Sequence, residues 1–418
     1  MLRDNNFLGR KSAFILILAL IFVFFTSCSN IGIFQNGGLV IAVPGSRSVS
    51  ESTVFTVTVA DAAGNKQNKT VVAGGSAQFE NLLPGLYSIG VEGKESDIST
   101  MYGVAEVSVA AGKTATASIA LSTVAHTFAD LKALIAKGGT VYIGSNIRVD
   151  SGLEVIKNKV HLVALKDVVL TNNADAPGLT VQDSKVTIGG GEYTLTLDGN
   201  DKGQYGVSVT DGTLILEKNA IITNCSKSGV YITNADFTMN GGIISENAAT
   251  SGGGVYINEG SFIMNDGSIT ANELSNSGTS YGGGIYIEKG DFTMNGGFIT
   301  NHTAGISRGG AIAVKETALF TMNAGIISGN SASSDGGGIY LFGSSQGDKG
   351  RCILNSGTIT SNNCDGNGGG ISTWGICTVN SGAVITGNTC SNGGDIYAYL
   401  DDAYVNNGGT VGDVAPRQ

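Results

Sequence analysis

From about residue 200 onward, short runs of alternating apolar and polar residues stop, turn and begin again in nearly the same words. GGGVYINEGSFIMNDGSITA at 252–271 returns as GGGIYIEKGDFTMNGGFITN at 282–301. In GIYIE the alternation puts Ile285 and Ile287 on one face, and in DFTMN it pairs Phe292 with Met294. Three phrases recur in fixed order. The first is GG-x-hydrophobic, as in Gly253-Gly254-Val255, Gly283-Gly284-Ile285 and Gly337-Gly338-Ile339. The second is F-x-x-N, at Phe237–Asn240, Phe262–Asn265, Phe292–Asn295 and Phe320–Asn323, with cysteine replacing phenylalanine at Cys352–Asn355 and Cys377–Asn380. The third is an isoleucine before a polar turn, ending at Asn247, Asn272, Asn330, Asn362 and Asn388, with His302 standing where asparagine is expected.

The F-x-x-N asparagines are 25, 30, 28, 32 and 25 residues apart, so the phrases hold while the loops between them vary. That is the signature of a solenoid. Three strands per repeat, with no room for a helix, predict one turn of a parallel β-helix, each strand pairing with its copy in the next turn. Asparagines repeated at one corner can then stack as an amide ladder. Weaker copies such as KVHLVALK and KVTI carry the expected solenoid back to residue 139, giving 139–412 and a tail at 413–418. About ten coils at the ~4.8 Å strand spacing make a rod roughly 50 Å long.

Ahead of the solenoid the pattern changes. TFADLKALIAKGG at 127–139 places Phe128, Leu131, Leu134 and Ile135 at helical spacing, predicting a capping helix within 123–138 that covers the first open end of the array. Residues 38–122 alternate with period two, as in VFTVTVA, where Phe55, Val57 and Val59 share a face, and in AEVSVA and TATASIAL. They predict a small antiparallel β-sandwich. FENLLPGLYSIGVEG at 79–93 resembles the signature of transthyretin-like and bacterial Ig-like modules, which implies a spacer.

The N-terminus has a basic start (Arg3, Arg10, Lys11) and thirteen apolar residues, AFILILALIFVFF. This is shorter than the ~20 needed to span a bilayer, so 1–27 reads as a secretory signal. Phe25-Thr26-Ser27-Cys28 resembles the lipobox of bacterial lipoproteins, although Phe25 stands where leucine is commonest. The resemblance implies lipidation of Cys28, a tether over 28–37 and residence in the cell envelope, with Ser29 favouring the outer membrane; an ordinary cleaved signal is the alternative.

Composition narrows the function classes. With 64 glycines, 4 prolines and only 14% charged residues, the chain lacks the profile of a disordered protein. Its formal charge of −10 becomes about −12 once Arg3, Arg10, Lys11 and Asp4 leave with the signal. No basic stripe is left to grip a phosphate backbone, so nucleic acid is not an expected partner. No Cys/His group has metal-ligand spacing, and no cofactor is expected.

GGAI at 309–312 together with tandem F-x-x-N resembles the repeats of chlamydial polymorphic outer-membrane proteins and related right-handed, pectate-lyase-like β-helix surface proteins, over roughly 200–410. The resemblance implies adhesion or surface display. No amphipathic barrel strands follow the repeats, so anchoring falls to Cys28.

Candidate surface residues follow from the alternation. Tyr231, Tyr256, Tyr286, Tyr340 and Tyr397 take the middle of the G-I-Y-I strand and must point out of the bore, with Ala313 and Ser372 interrupting the row. Such a ladder can bind a glycan or a protein partner, or simply cover strand glycines. Ile243, Phe298 and Ile326 mark a second outward face. Cys352 with Cys377, and Cys364 with Cys390, occupy equivalent positions in adjacent coils at distances that suit a disulfide, the alternative being an unpaired core ladder; Cys225 has no such partner. The enzymatic alternative is a polysaccharide lyase or glycoside hydrolase acting on an acidic glycan, which needs a base beside carboxylates or two opposed carboxylates. Asp198 and Asp201, with Asn200 between them, or Asp401 and Asp402, are the groups at hand; the first reads more simply as a turn and the second as a solvated loop.

Overall fold

A computed structural model describes residues 35–45, 50–202, 204–275, 280–304, 307–344 and 347–416. The expected signal segment, 1–27, and Cys28 lie outside these residues. The chain is all-β, a parallel β-solenoid of about 10 turns preceded by a small sheet region.

The N-terminal module buries the faces that alternation assigns to it. Strand Gly37–Ala42 pairs antiparallel with Ser76–Leu82 and parallel with Thr114–Ser118. Opposite it, Val54–Ala60 is flanked by Lys66–Val72 and Gly85–Glu95, and Ile98–Val109 follows. Leu39, Ile41, Phe55, Val57, Val59, Phe79, Ile89 and Val91 form the core between the sheets. Lys66–Val72 is exposed along almost its whole length. Its lysines suit a strand at a sheet edge, where charge discourages pairing with another chain.

The two parts are joined by hydrogen bonds and not only by covalent chain. Strand Ser122–Ala125 pairs antiparallel with Ile98–Val109 and parallel with Gly139–Ile143, the first strand of the solenoid. One sheet therefore runs without a break from the edge strand Lys66–Val72 into the coils. Helix Phe128–Lys137 packs against the first coil. Thr127 and Asp130 form a reciprocal capping box, which satisfies two otherwise unpaired backbone donors. Leu131 and Ile135 are buried among the first coil's apolar residues.

Each coil contributes three strands that pair in parallel with their copies. One ladder runs, for example, through Asp291–Met294 and Leu319–Met322; a second through Phe298–Thr300 and Ile326–Ser328; a third through Ile285–Ile287 and Ile312–Val314. Phe237, Phe262, Phe292 and Phe320 are fully buried and stack with ring centroids 4.5, 4.6 and 5.0 Å apart. Below them Cys352, Cys377 and Tyr404 continue the column. From residue 248 a short fourth strand appears at one corner, Ala248–Ala249 pairing with Glu273–Leu274 and so on to Asn363–Cys364. The three-strand expectation lacks it. The register shifts once in the last coils, where Leu354 and Ser356 face Val379 and Gly382. At the C-terminal end Val414–Pro416 pairs with Ile396–Ala398, so strand pairing continues beyond residue 412.

Two polar ladders run the length of these coils. The F-x-x-N asparagines form the exposed one, in which each Nδ2 donates to the Oδ1 of the preceding coil from Asn265 on Asn240 to Asn407 on Asn380, at 2.8 to 3.1 Å. The turn asparagines form the other, which is buried. The backbone N–H of Asn330 donates to Asn362 Oδ1 at 3.1 Å and that of Asn362 to Asn388 Oδ1 at 3.0 Å, while their Nδ2 atoms donate to Ile299 O and Ile327 O. Cys225 stands at one end of this ladder, its N–H on Asn247 Oδ1. Asp395 ends it by accepting from Asn388. A glycine must follow in the next strand because the coils touch there: a Cβ on Gly253 would lie 2.6 Å from Gly283 O.

Candidate functional site: the outer aromatic face

The third ladder carries the tyrosines in register, Tyr231 beside Tyr256 and Tyr256 beside Tyr286, then Ala313, Tyr340, Ser372 and Tyr397. All five point away from the bore, as the alternation requires. They are not equally exposed. Tyr231, Tyr256 and Tyr397 are half-buried, whereas Tyr286 and Tyr340 are only 5% and 3% exposed. The expectation of a uniformly exposed row is corrected at these two positions. The cause is a second short layer, Ser280–Tyr281 paired with Ser307–Arg308, together with Phe342. Tyr281 stacks on Tyr286 and meets Phe342 edge-on, Phe342 meets Tyr340, and the Arg308 guanidinium lies 5.3 Å over the Tyr340 ring while facing Asp335 at 3.5 Å.

Ring geometry decides what this face offers. Tyr205 joins the row from a turn and stacks on Tyr231 at 4.7 Å, and Tyr231 is tilted on Tyr256 at 5.2 Å. Rings packed at these distances cover one another's faces, so a partner meets edges and hydroxyls. Lys227 lies 5.2 Å over the Tyr205 ring and closes the other end. Tyr256 donates to Glu288, which pairs with Lys315 at 3.6 Å. Burial, then the hydrogen bond to Glu288, raise the Tyr256 hydroxyl far above the ordinary tyrosine range; burial pushes Tyr340 up to about 12. The Tyr256 proton is committed to Glu288, so towards a partner this hydroxyl offers its oxygen as an acceptor.

A second aromatic group sits toward the C-terminal end. Trp374 stacks on Tyr399 at 4.1 Å and Tyr397 meets Tyr399 edge-on, with Asn367 donating to the Tyr399 hydroxyl at 2.9 Å. Neither Tyr205, Tyr281, Phe342, Trp374 nor Tyr399 was among the residues singled out from the sequence. Phe342, Trp374 and Tyr399 stand two residues beyond Tyr340, Ser372 and Tyr397, so carrying the alternation one step further along each strand finds them.

The remaining candidates resolve as follows. Cys352 is in register with Cys377, but these two, Cys364, Cys390 and Cys225 are all free thiols. The anticipated bridges are therefore not formed in the structure. Cys352 and Cys377 lie side by side as members of the column that phenylalanine fills elsewhere, and the Cys390 thiol donates to Asn392 O at 2.6 Å. Burial raises the Cys352 thiol well above its ordinary range and pushes Cys364 up to about 12. Asp198 accepts from Asn200 N and Asn224 Nδ2, with Asn200 and Asp201 in left-handed conformation, as a turn requires. Asp402 pairs with Lys349 at 2.7 Å. Among the described residues no helix is long and apolar enough to cross a membrane. Ile243, Phe298 and Ile326 are exposed at 38%, 48% and 36%, as expected for an outward apolar column.

No family model, no curated protein and no solved structure matches this chain.

Proposed function

We propose that the protein is a non-enzymatic surface-display or adhesion protein of the bacterial cell envelope, anchored by a lipidated Cys28, with the N-terminal sheets as spacer and the solenoid as the presenting rod. The observation that carries this reading is the half-exposed run Tyr205, Tyr231 and Tyr256, which sets a row of tyrosine edges and hydroxyls along the outer face of successive coils. Such a row hydrogen-bonds a repetitive polar partner, a glycan or the surface of another protein. The likeness of the GGAI and F-x-x-N phrases to chlamydial surface-protein repeats supports the same reading, as do acids that are engaged in turns and ion pairs.

The test uses the chain without residues 1–28 on a glycan array, in parallel with acidic polysaccharides followed by absorbance for unsaturated products. Saturable binding without product is expected, and replacing Tyr231 and Tyr256 together by alanine should weaken it about tenfold or more. Accumulating product overturns the reading in favour of a lyase.

A further inference from the structure

The continuous sheet that joins the two parts has a face belonging to neither core. On the N-terminal strands it is the side opposite Phe55, Val57 and Val59; on the first coils it is the side opposite Val141, Ile143 and Leu162. Rung by rung it carries Asn68, Thr58, Gly90 and Val104, then Thr56, Glu92 and Tyr102. On the far side of Ser122–Ala125 come Tyr142 with Val163, and Thr140 with His161. What this face lines is a trough of about 610 Å³, within the range of small-ligand sites, roughly 300 to 1,000 Å³. Across the trough, Lys66 on the edge strand pairs at 2.8 Å with Glu192, in the bend that follows strand Lys185–Ile188.

The floor of this trough is built unlike a domain joint. Tyr102 and Tyr142 meet at 4.8 Å with ring planes 67° apart, giving two aromatic surfaces at an angle. Tyr142 is only 7% exposed, yet among the described residues neither its hydroxyl nor that of Tyr102 has a hydrogen-bond partner. Neither hydroxyl is sealed from solvent, so both are open to pair with whatever fills the trough. Gly90 makes room here, since a Cβ on it would stand 3.4 Å from the Tyr102 hydroxyl. Around the rings stand uncharged groups, Thr56, Thr58, Thr140, Asn68 and Ser88. The charges are already engaged, Lys66 with Glu192 and Glu92 with Lys94, and carboxylates outnumber the lysine on the lining. That balance disfavours an anion.

From this we infer that the junction trough is a binding site for a short neutral oligosaccharide, whose C–H faces pack on Tyr102 and Tyr142 while its hydroxyls pair with the tyrosine, threonine and asparagine groups. The site is independent of the outer tyrosine row and stands or falls separately from it.

The experiment titrates the full chain in detergent with maltotriose, cellotriose, mannotriose and triacetylchitotriose, with trigalacturonate as the acidic probe, by calorimetry. At least one neutral trisaccharide should bind saturably, and trigalacturonate at least tenfold more weakly. Thr58→Trp, which fills the trough from an outward strand position, should weaken binding tenfold or more. Tyr142→Phe, which keeps the ring and removes only the hydroxyl, should weaken it about three- to tenfold. Failure of all four neutral probes, tighter binding of the acidic one, or affinity unmoved by both trough variants overturns the inference.

Discussion

Asn272 donates its backbone N–H to Nδ1 of His302 one coil away, at 3.0 Å, in the place where every neighbouring coil uses an asparagine oxygen. Because that N–H can only donate, Nδ1 carries the lone pair, and Nε2–H donates to Ile269 O at 3.1 Å. The ring is fully buried and satisfied only when neutral.

Acid should therefore loosen the solenoid through this one residue. Burial lowers the His302 pKa from its ordinary 6.5 to about 4, so between these values the unfolded chain binds a proton that the folded chain refuses. The contribution is whole above pH 6.5, falls as pH drops toward 4, and amounts to roughly 3 kcal/mol at about 1.4 kcal/mol per pH unit. Urea unfolding at pH 8, 6 and 4 measures it. His302→Asn, which restores the ladder's usual residue, should be distinctly less acid-sensitive; parallel pH profiles for the two proteins would exclude the assignment.

The two asparagine ladders should differ sharply in their worth. Asn330→Ala leaves the His302 N–H without its acceptor and Ile299 O without its donor, both away from water. At about 1–3 kcal/mol for each buried group left unpaired, a loss of roughly 2–5 kcal/mol is expected. Asn323→Ala removes an exposed link that water replaces, for under about 1 kcal/mol. Denaturant midpoints of the two variants give the comparison, and equal losses would refute it.

Phe292→Ala empties a place between two stacked rings and should destabilise by about 3–5 kcal/mol. Phe292→Leu should recover more than half of that. If alanine is tolerated within about 1 kcal/mol, the rings are not filling the bore.

The thiols should fall into two classes. Cys390 is half-exposed, whereas Cys225, Cys352, Cys364 and Cys377 are buried, with Cys225 and Cys364 pushed up to about 12 by burial. In the folded chain lacking residues 1–28, iodoacetamide at pH 8 should modify Cys390 first and the other four at least about a hundredfold more slowly, since only thiolate reacts. Peptide mass mapping reads the order. Rapid labelling of Cys352 would contradict a filled bore.

How much could be read in advance depended on whether a residue's surroundings were written next to it. Phe262, Phe292, Ile285 and Asn295 could be placed because their neighbours are their own copies, so the chain states both partners of each contact. The direction of Tyr286 and Tyr340 followed from the same alternation. Their burial did not, because Tyr281 and Arg308 reach them from segments without repeated spacing. Lys66–Val72 shows almost no alternation, being an edge strand exposed on both sides. Ser122–Ala125 is too short to distinguish a strand from a linker, and its two neighbours declare it only in three dimensions. The junction trough stayed hidden for that reason: its residues come from strands on either side of those four.

Those four residues also settle how the protein answers a pull. A rod held by a flexible leash swivels freely and tells its base nothing about what has happened at the far end. Here Ser122 and Thr123 are held by the N-terminal sheet and Val124 and Ala125 by the first coil, so tension on the coils loads backbone hydrogen bonds on either side of one short strand instead of slack chain.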